Sequence, residues 1–159
     1  MANSTDKKIV GRAEVVSFPE QGFETIAARI DTGAKTSALW ASNVEVSGKT
    51  LTAVLFGEDH PAYTGQPISF DEFDTTVVSS STGHVQERYK VRLLVKIKGK
   101  KVRAWFTLAD RSTQVYPVLI GRNVLLGKFV VDVKKGRVLK EEEQKRTEQL
   151  RAKANEEKS

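Results

Sequence analysis

The sequence predicts an all-β fold: a barrel or sandwich of short strands, with one short helix and a polar C-terminal helix. Three observations carry this. Strand-like segments recur at about 8–12-residue spacing, divided by Gly, Pro and Ser turn signals. One of them, from Tyr89 to Lys98, alternates apolar and polar residues with a period of two. From Lys140 onward Glu, Lys, Arg and Gln dominate, and Leu150 stands nearly alone as an apolar residue. A length of 159 residues suits one domain. The expected division is a β domain over residues 1–139 and a polar helical or disordered tail over 140–159.

Ile9 to Phe18 reads as a strand, closed by Pro19 and the Glu20-Gln21-Gly22 turn. Phe23 to Asp31 reads as a second strand. Thr36 to Trp40 follows at once and is expected to turn back under it. Val44 to Val46 and Leu51 to Phe56 form a hairpin about Ser47-Gly48-Lys49. Residues 57–74 hold two prolines, two glycines and several acids, and read as a long loop with at most one short strand. Thr75 to Ser79 is strand-like, and Ser80-Ser81-Thr82-Gly83 is a turn signal.

In the alternating strand, Tyr89, Val91, Leu93, Val95 and Ile97 form the face expected to be buried. Lys90, Arg92, Leu94, Lys96 and Lys98 lie on the other. Gly99 turns the chain into a strand from Val102 to Leu108. Val115 to Ile120 is another strand, and Arg122 to Leu126 is one helical turn between Gly121 and Gly127. Phe129 to Val133 is the last clear strand, with Arg137 to Leu139 as a weaker candidate.

Composition narrows the function. Cysteine is absent, which excludes disulfides, thiol catalysis and thiolate metal sites. The two histidines, His60 and His84, fall short of a zinc ligand set, so no metal and no cofactor are expected. The start of the chain lacks an apolar signal core, and no run of about eighteen apolar residues exists to cross a membrane. This reads as a cytoplasmic protein, or a periplasmic one were a signal peptide removed ahead of residue 1. Net charge is +6, and half of the excess lies in residues 134–159. Anionic partners are favoured without being identified.

The residues that carry chemistry are Asp31-Thr32-Gly33, at the end of the second predicted strand. Asp31 supplies a carboxylate able to hold a water or share a proton. Thr32 is suited to anchoring the loop by a hydrogen bond. Gly33 permits a sharp turn and close backbone approach. A second signal follows in Leu119-Ile120-Gly121-Arg122-Asn123, two apolar residues before a glycine that tolerates close contact, and then a short helix. In this order, in one small β-rich chain, the two signals resemble the retropepsins, the single-lobe aspartic proteases.

A narrower resemblance covers residues 9–139. Ala28 to Leu39, Ser80-Ser81-Thr82-Gly83 leading to Glu87-Arg88-Tyr89, and Trp105 to Arg111 are similar to a bacterial family named ATP-dependent zinc proteases, with a retropepsin-like fold. The resemblance implies a closed retropepsin-like (acid protease) β-barrel, peptidase activity, and Asp31, Thr32 and Gly33 as catalytic residues. The zinc and ATP of that name find no support in this sequence, which lacks both a ligand set and a phosphate-cradling Gly-x-x-x-x-Gly-Lys-Ser/Thr loop. Retroviral enzymes place an acid after Asp-Thr-Gly-Ala, to pair with the arginine after the second glycine. Here Lys35 stands there, so Arg122 needs another partner.

Two nearby carboxylates share one proton, and their titration belongs to the pair. With a single Asp-Thr-Gly, the expected completion is a homodimer that brings two copies of Asp31 together. Asp110 and Asp132 are the in-chain alternatives, and neither precedes Thr/Ser-Gly. Residues 79–84 are the expected flap over the site, and 57–66 the competing one. Ala34, Lys35, Ser80, Ser81, Thr82, Gly83, Arg88 and Arg122 are the expected substrate-binding residues. The positive charge of Lys35, Arg88 and Arg122 favours an acidic peptide or protein tail, bound extended. Relatives are also associated with a ligase that appends glutamates to a ribosomal protein, which the resemblance extends to glutamate-rich substrates.

Two rival readings stand beside this one. Residues 88–103 hold eight Lys or Arg and no acid, a pattern that tracks nucleic-acid phosphates. Against it, stacking aromatics are sparse there, with Tyr89 in register with the buried face. The other rival is a retropepsin-like module that binds peptides without cutting them.

Overall fold

The computed structural model describes residues 6–79, 82–136 and 140–158. It is mostly β. In chain order the strands are β1 (Lys8–Val10), β2 (Ala13–Phe18), β3 (Phe23–Ile30), β4 (Ser37–Ser47), β5 (Thr50–Leu55) and β6 (Pro67–Phe70). They continue with β7 (Phe73–Ser79), β8 (Val85–Ile97), β9 (Lys100–Ala109), β10 (Val118–Ile120) and β11 (Phe129–Val131). The helices are α1 (Arg122–Leu125) and α2 (Lys140–Lys158). A short 3₁₀ turn, Pro19–Gln21, leads into β3.

Among the described residues nine strands form one sheet and β1 pairs with β11 in a second. β10 lies between β3 and β4, parallel to the first and antiparallel to the second. The path β10-β3-β2-β8-β9-β4 therefore returns to β10 as a ring. β8 shows how sequence makes this ring. Val91, Leu93, Val95 and Ile97 are all fully buried, while Arg92 and Lys96 between them are exposed. Lys98 and Gly99 adopt positive φ (52° and 80°), which sets the tight turn into β9. Phe18, Ile26, Leu39, Phe106 and Ile120 meet this face in the core.

Several elements differ from the sequence expectation. The expected strand from Ile9 to Phe18 is split, because residues 11–12 cross residues 135–136 at close quarters. The Arg12 N–H donates to the Lys135 carbonyl at 3.0 Å, and a Cβ on Gly11 would lie 2.4 Å from the Lys135 backbone. β4 runs unbroken through the two segments expected apart, with an irregularity at Asn43 (φ 49°). β10 is shorter than expected, because Pro117 has no N–H to give a sheet and precedes its first residue. The Arg137 to Leu139 strand lies outside the described residues.

Residues 85–89 of β8 pair with β7 and β7 alone among the pairings of the described residues, since the β8–β9 ladder begins at Lys90. The β7–β8 hairpin thus projects as a two-stranded ribbon. Val77 and Val85 on it are exposed. The basic residues of β8 and β9 are partly engaged on the surface. Arg103 makes a bidentate pair with Glu20 (2.9 and 3.0 Å), Arg92 approaches Glu72 at 3.7 Å, and Lys90 lies over the Trp105 ring at 5.2 Å.

α2 has no apolar stripe, yet it docks. Arg146 is 9% exposed. It pairs with Asp59 at 2.6 Å, donates to the carbonyls of Ser112 (2.6 Å) and Gln114 (3.2 Å), and lies over the Trp40 ring at 5.3 Å. Below it, His60 stacks on Phe56 at 4.8 Å, and its Nδ1 accepts from the Ala62 N–H at 3.0 Å. Among the described residues no helix is long and apolar enough to cross a membrane.

Burial, aided by the Arg146 charge, holds His60 below its ordinary 6.5, against the opposing pull of Asp59. Below pH 6.5 the unfolded chain takes up a proton that folded His60 resists. The stability supplied by neutral His60 is thus complete above that pH and is lost on acidification through the window. His60→Gln should flatten this segment of the stability–pH profile. Denaturant midpoints on either side of pH 6.5, compared with wild type, check it.

Candidate active site

Asp31 sits where β3 leaves the sheet. Its N–H donates to the Ile120 carbonyl at 2.9 Å, so the pairing of β3 with β10 runs one residue past the strand. The chain then turns. The Gly33 N–H donates to Asp31 Oδ1 at 2.9 Å and the Ala34 N–H to the Asp31 carbonyl at 3.2 Å. The first bond fixes the carboxylate relative to its own loop. Asp31 is half-buried, while Thr32, Gly33 and Lys35 are exposed and Ala34 is half-buried.

α1 clamps the loop from below. The first N–H groups of a helix have no partner within it. Here those of Arg122 and Asn123 donate to the carbonyls of Ala34 (2.8 Å) and Lys35 (3.2 Å). Ser37, fully buried, completes the clamp. Its Oγ accepts from the Gly121 N–H at 2.9 Å and donates to Asn123 Oδ1 at 2.8 Å. Asn123 Nδ2 donates to the Trp105 carbonyl at 2.8 Å. Gly121 is extended (φ −97°, ψ −173°), so glycine is required for space and not for dihedral freedom. A Cβ there would lie 2.3 Å from the Thr36 carbonyl oxygen.

Arg122 has found its partner. With Lys35 in place of an acid, its Nη1 donates to the Thr32 carbonyl at 3.1 Å, so the arginine braces the Asp-Thr-Gly loop directly. The two sequence motifs are thus brought together, and Lys35 joins them through its backbone. Thr82 and Gly83 stand at the exposed tip of the β7–β8 ribbon, with Gly83 at φ 85°. Ser80 and Ser81 lie outside the described residues. Asp110 and Asp132 serve turns: Asp110 Oδ1 accepts from the Ser112 N–H at 2.9 Å and Asp132 Oδ1 from the Lys134 N–H at 3.0 Å.

An arginine cluster adjoins Asp31. Arg111 is half-buried, and its Nε donates to the Tyr116 carbonyl at 2.9 Å. Burial holds its pKa below the ordinary arginine range. The charges of Arg29 and Arg88 push the same way, and Asp31 opposes them. Arg111 stays cationic even so. Arg29 precedes Asp31 by two residues, the repeat that returns a strand to the same side. Arg88 was expected here from sequence. Arg29 and Arg111 were not, nor were Ser37 and Asn123 as loop anchors. The buried Ser37 position carried no sequence signal beyond its place beside the motif.

Two cavities flank α2. One of about 390 Å³ is lined by Arg12, Arg29, Arg111 and Tyr116, with Glu143 and Thr147 of α2. A larger one of about 590 Å³ lies between β3, residues 59–62 and α2. Asp31 lines neither. Among the described residues no group of three His, Cys, Asp or Glu side chains is placed to hold a metal ion, so the donor set does not fit a zinc site.

An Asp-Thr-Gly loop locked onto an apolar-apolar-Gly strand, in a mostly β domain, is the arrangement of a retropepsin-like fold. A model of the RimB-like family, described as retropepsin-like aspartic endopeptidase RimB, matches residues 9–142. The chain belongs to this family. Curated relatives carry a different name. A probable alpha-L-glutamate ligase of Desulfotalea psychrophila is 28% identical over 142 residues, which covers 83% of this chain and 29% of that protein. Another, of Shewanella halifaxensis, is 28% identical over 151 residues, covering 92% of this chain and 33% of that protein. The chain spans about a third of the length of these relatives. A crystal structure of a Legionella pneumophila protein of unknown function matches with a TM-score of 0.64 and 25% identity, covering 80% of this chain and 95% of that one.

Proposed function

We propose that the chain is an aspartic peptidase that hydrolyses acidic, glutamate-rich peptides with a water held between two copies of Asp31. The observation that carries this reading is the rigid presentation of Asp31. Its loop is tied to β10 and α1 by the backbone N–H groups of residues 31, 122 and 123. The strand ring is then the closed barrel of the fold. One chain supplies one such carboxylate, and a twofold homodimer supplies the second. The exposed pair Ile9 and Val130, in register across β1 and β11, offers an apolar surface for a second copy.

Two adjacent carboxylates share one proton. The ionised one takes a proton from water as its oxygen attacks the peptide carbonyl carbon. The protonated one gives its proton to the carbonyl oxygen. Collapse of the tetrahedral adduct breaks the C–N bond, and the amine leaves with a proton returned from the dyad. Thr32 and Gly33 shape the loop. Ala34, Lys35, Arg88 and Arg122 border the substrate, and the β7–β8 ribbon, with Thr82 and Gly83 at its tip, closes over it.

The arginines around Asp31 support an acidic substrate. So does the name of the relatives, alpha-L-glutamate ligases that contain a segment like this chain. The test is dilution. Cleavage of a glutamate-rich peptide, per subunit, should fall with protein concentration once dimers dissociate. Ile9→Lys should move that fall to higher concentration. A specific activity that ignores dilution, in a protein sedimenting as a monomer, would contradict the two-subunit site.

A further inference from the structure

We propose that the pocket lined by Arg12, Arg29 and Arg111 is a carboxylate-binding subsite for the acidic peptide, and that Glu143 of α2 is its resident competitor. The proposal rests on the peptidase reading for the identity of the peptide, but its chemistry stands on the pocket itself. The three arginines come from separate places in the chain and are held by backbone. The Arg12 N–H donates to the Lys135 carbonyl (3.0 Å), and its carbonyl accepts from the Ile30 N–H (2.9 Å). Arg29 is fixed by the register of β3, opposite Ala13 of β2 and Leu119 of β10. Arg111 is anchored through Nε to the Tyr116 carbonyl.

Like charges gathered this way repel one another. Arg29 and Arg88 both act on Arg111, and the acid that offsets them is Asp31. The fold therefore maintains an excess of guanidinium charge beside the Asp31 loop. A planar carboxylate is the anion that matches a guanidinium fork. The pocket already holds one. Glu143 lines it and accepts a hydrogen bond from the Tyr116 hydroxyl. Burial and the Glu143 charge push the Tyr116 pKa upward, which keeps that hydroxyl a donor. Three arginines line the pocket against the single carboxylate of Glu143.

The size of the pocket, about 390 Å³, suits one or two peptide side chains and not a nucleic-acid backbone. Its cover is α2, which contributes Glu143 and Thr147 to the lining. The occupant is therefore a glutamate or aspartate side chain, or the peptide's terminal carboxylate.

The test uses the full chain carrying Asp31→Asn, so that the probe is bound without being cut. The probe is fluorescent hexaglutamate, read by anisotropy, in free-acid and C-terminally amidated forms. Arg29→Gln and Arg111→Gln should each weaken binding by about tenfold or more, as loss of a charge-assisted hydrogen bond implies. Arg111→Lys should recover part of that loss. Glu143→Gln should tighten binding several-fold. A loss confined to the free acid assigns the pocket to the terminal carboxylate, and an equal loss in both forms assigns it to a side chain. Arg29 is exposed, so its variant keeps the test decisive where an Arg111 variant fails to fold.

Unchanged hexaglutamate binding in Arg29→Gln overturns the proposal, and so does an oligothymidylate that competes equally well. Absent binding, with neutral peptides still cut by the wild type, overturns the subsite and leaves the peptidase reading standing. Arginine-dependent binding without cleavage by the wild type does the reverse.

Discussion

Asp31→Asn is expected to lower peptide cleavage by about a thousandfold or more, with folding and dimerisation unchanged. The side chains have the same shape. Asparagine still offers an Oδ1 to the Gly33 N–H, so the 2.9 Å bond that orients the group survives. The loop is otherwise held by backbone bonds to Ile120, Arg122 and Asn123, none of which involves the carboxylate. What disappears is the capacity to take and return a proton. General acid–base catalysis contributes roughly 10²–10⁴-fold, and in a symmetric dimer both partners are lost together. Turnover of a glutamate-rich peptide, measured beside a thermal melt and sedimentation, separates chemistry from folding. A normal rate in a well-folded variant would place the chemistry elsewhere.

Gly121→Ala is expected to destabilise the fold by about 3 kcal/mol and to impair activity in whatever fraction still folds. The added Cβ would lie 2.3 Å from the Thr36 oxygen, 2.7 Å from the Thr36 carbonyl carbon and 2.8 Å from the Ala34 oxygen. All three are backbone atoms, so no flexible side chain gives way. Either the Asp31 loop or α1 must move. Movement loosens the Arg122–Ala34 and Asn123–Lys35 bonds and the Ser37 bond to Gly121. A displacement of about 1 Å at Asp31 is enough to cost ~10²-fold in rate. Gly48→Ala is the control. Gly48 has open space around it and a positive φ of 61°, so it should cost only about 1 kcal/mol. Denaturant unfolding of the two variants checks the difference.

Local pattern made some parts of this molecule legible. The alternation of β8 survives in the structure because both of its faces meet different surroundings along its core-facing half. Asp31-Thr32-Gly33 sits at the end of β3, and Gly121 before α1, because each needs a local residue type in its place. Other parts depend on contacts between distant segments. The break at Gly11 exists because Lys135 and Gly136 cross there. The Arg29–Arg111 cluster needs β3 and the 110–114 turn to meet in space. Docking of α2 was hidden for a different reason. It hangs on Arg146, held by Asp59, two carbonyls and the Trp40 ring, and on the hydrogen bond from Tyr116 to Glu143, so the helix shows no apolar face to read. The partner of Arg122 was invisible as well, since a backbone carbonyl carries no sequence signature.

The most direct measurement is the distance between the two Asp31 carboxyl groups in a crystal of the protein grown at concentrations that favour association. The account predicts a twofold dimer in which those carboxyls lie within hydrogen-bonding distance. A lone subunit whose Asp31 faces bulk water, with no second acid near it, would contradict it.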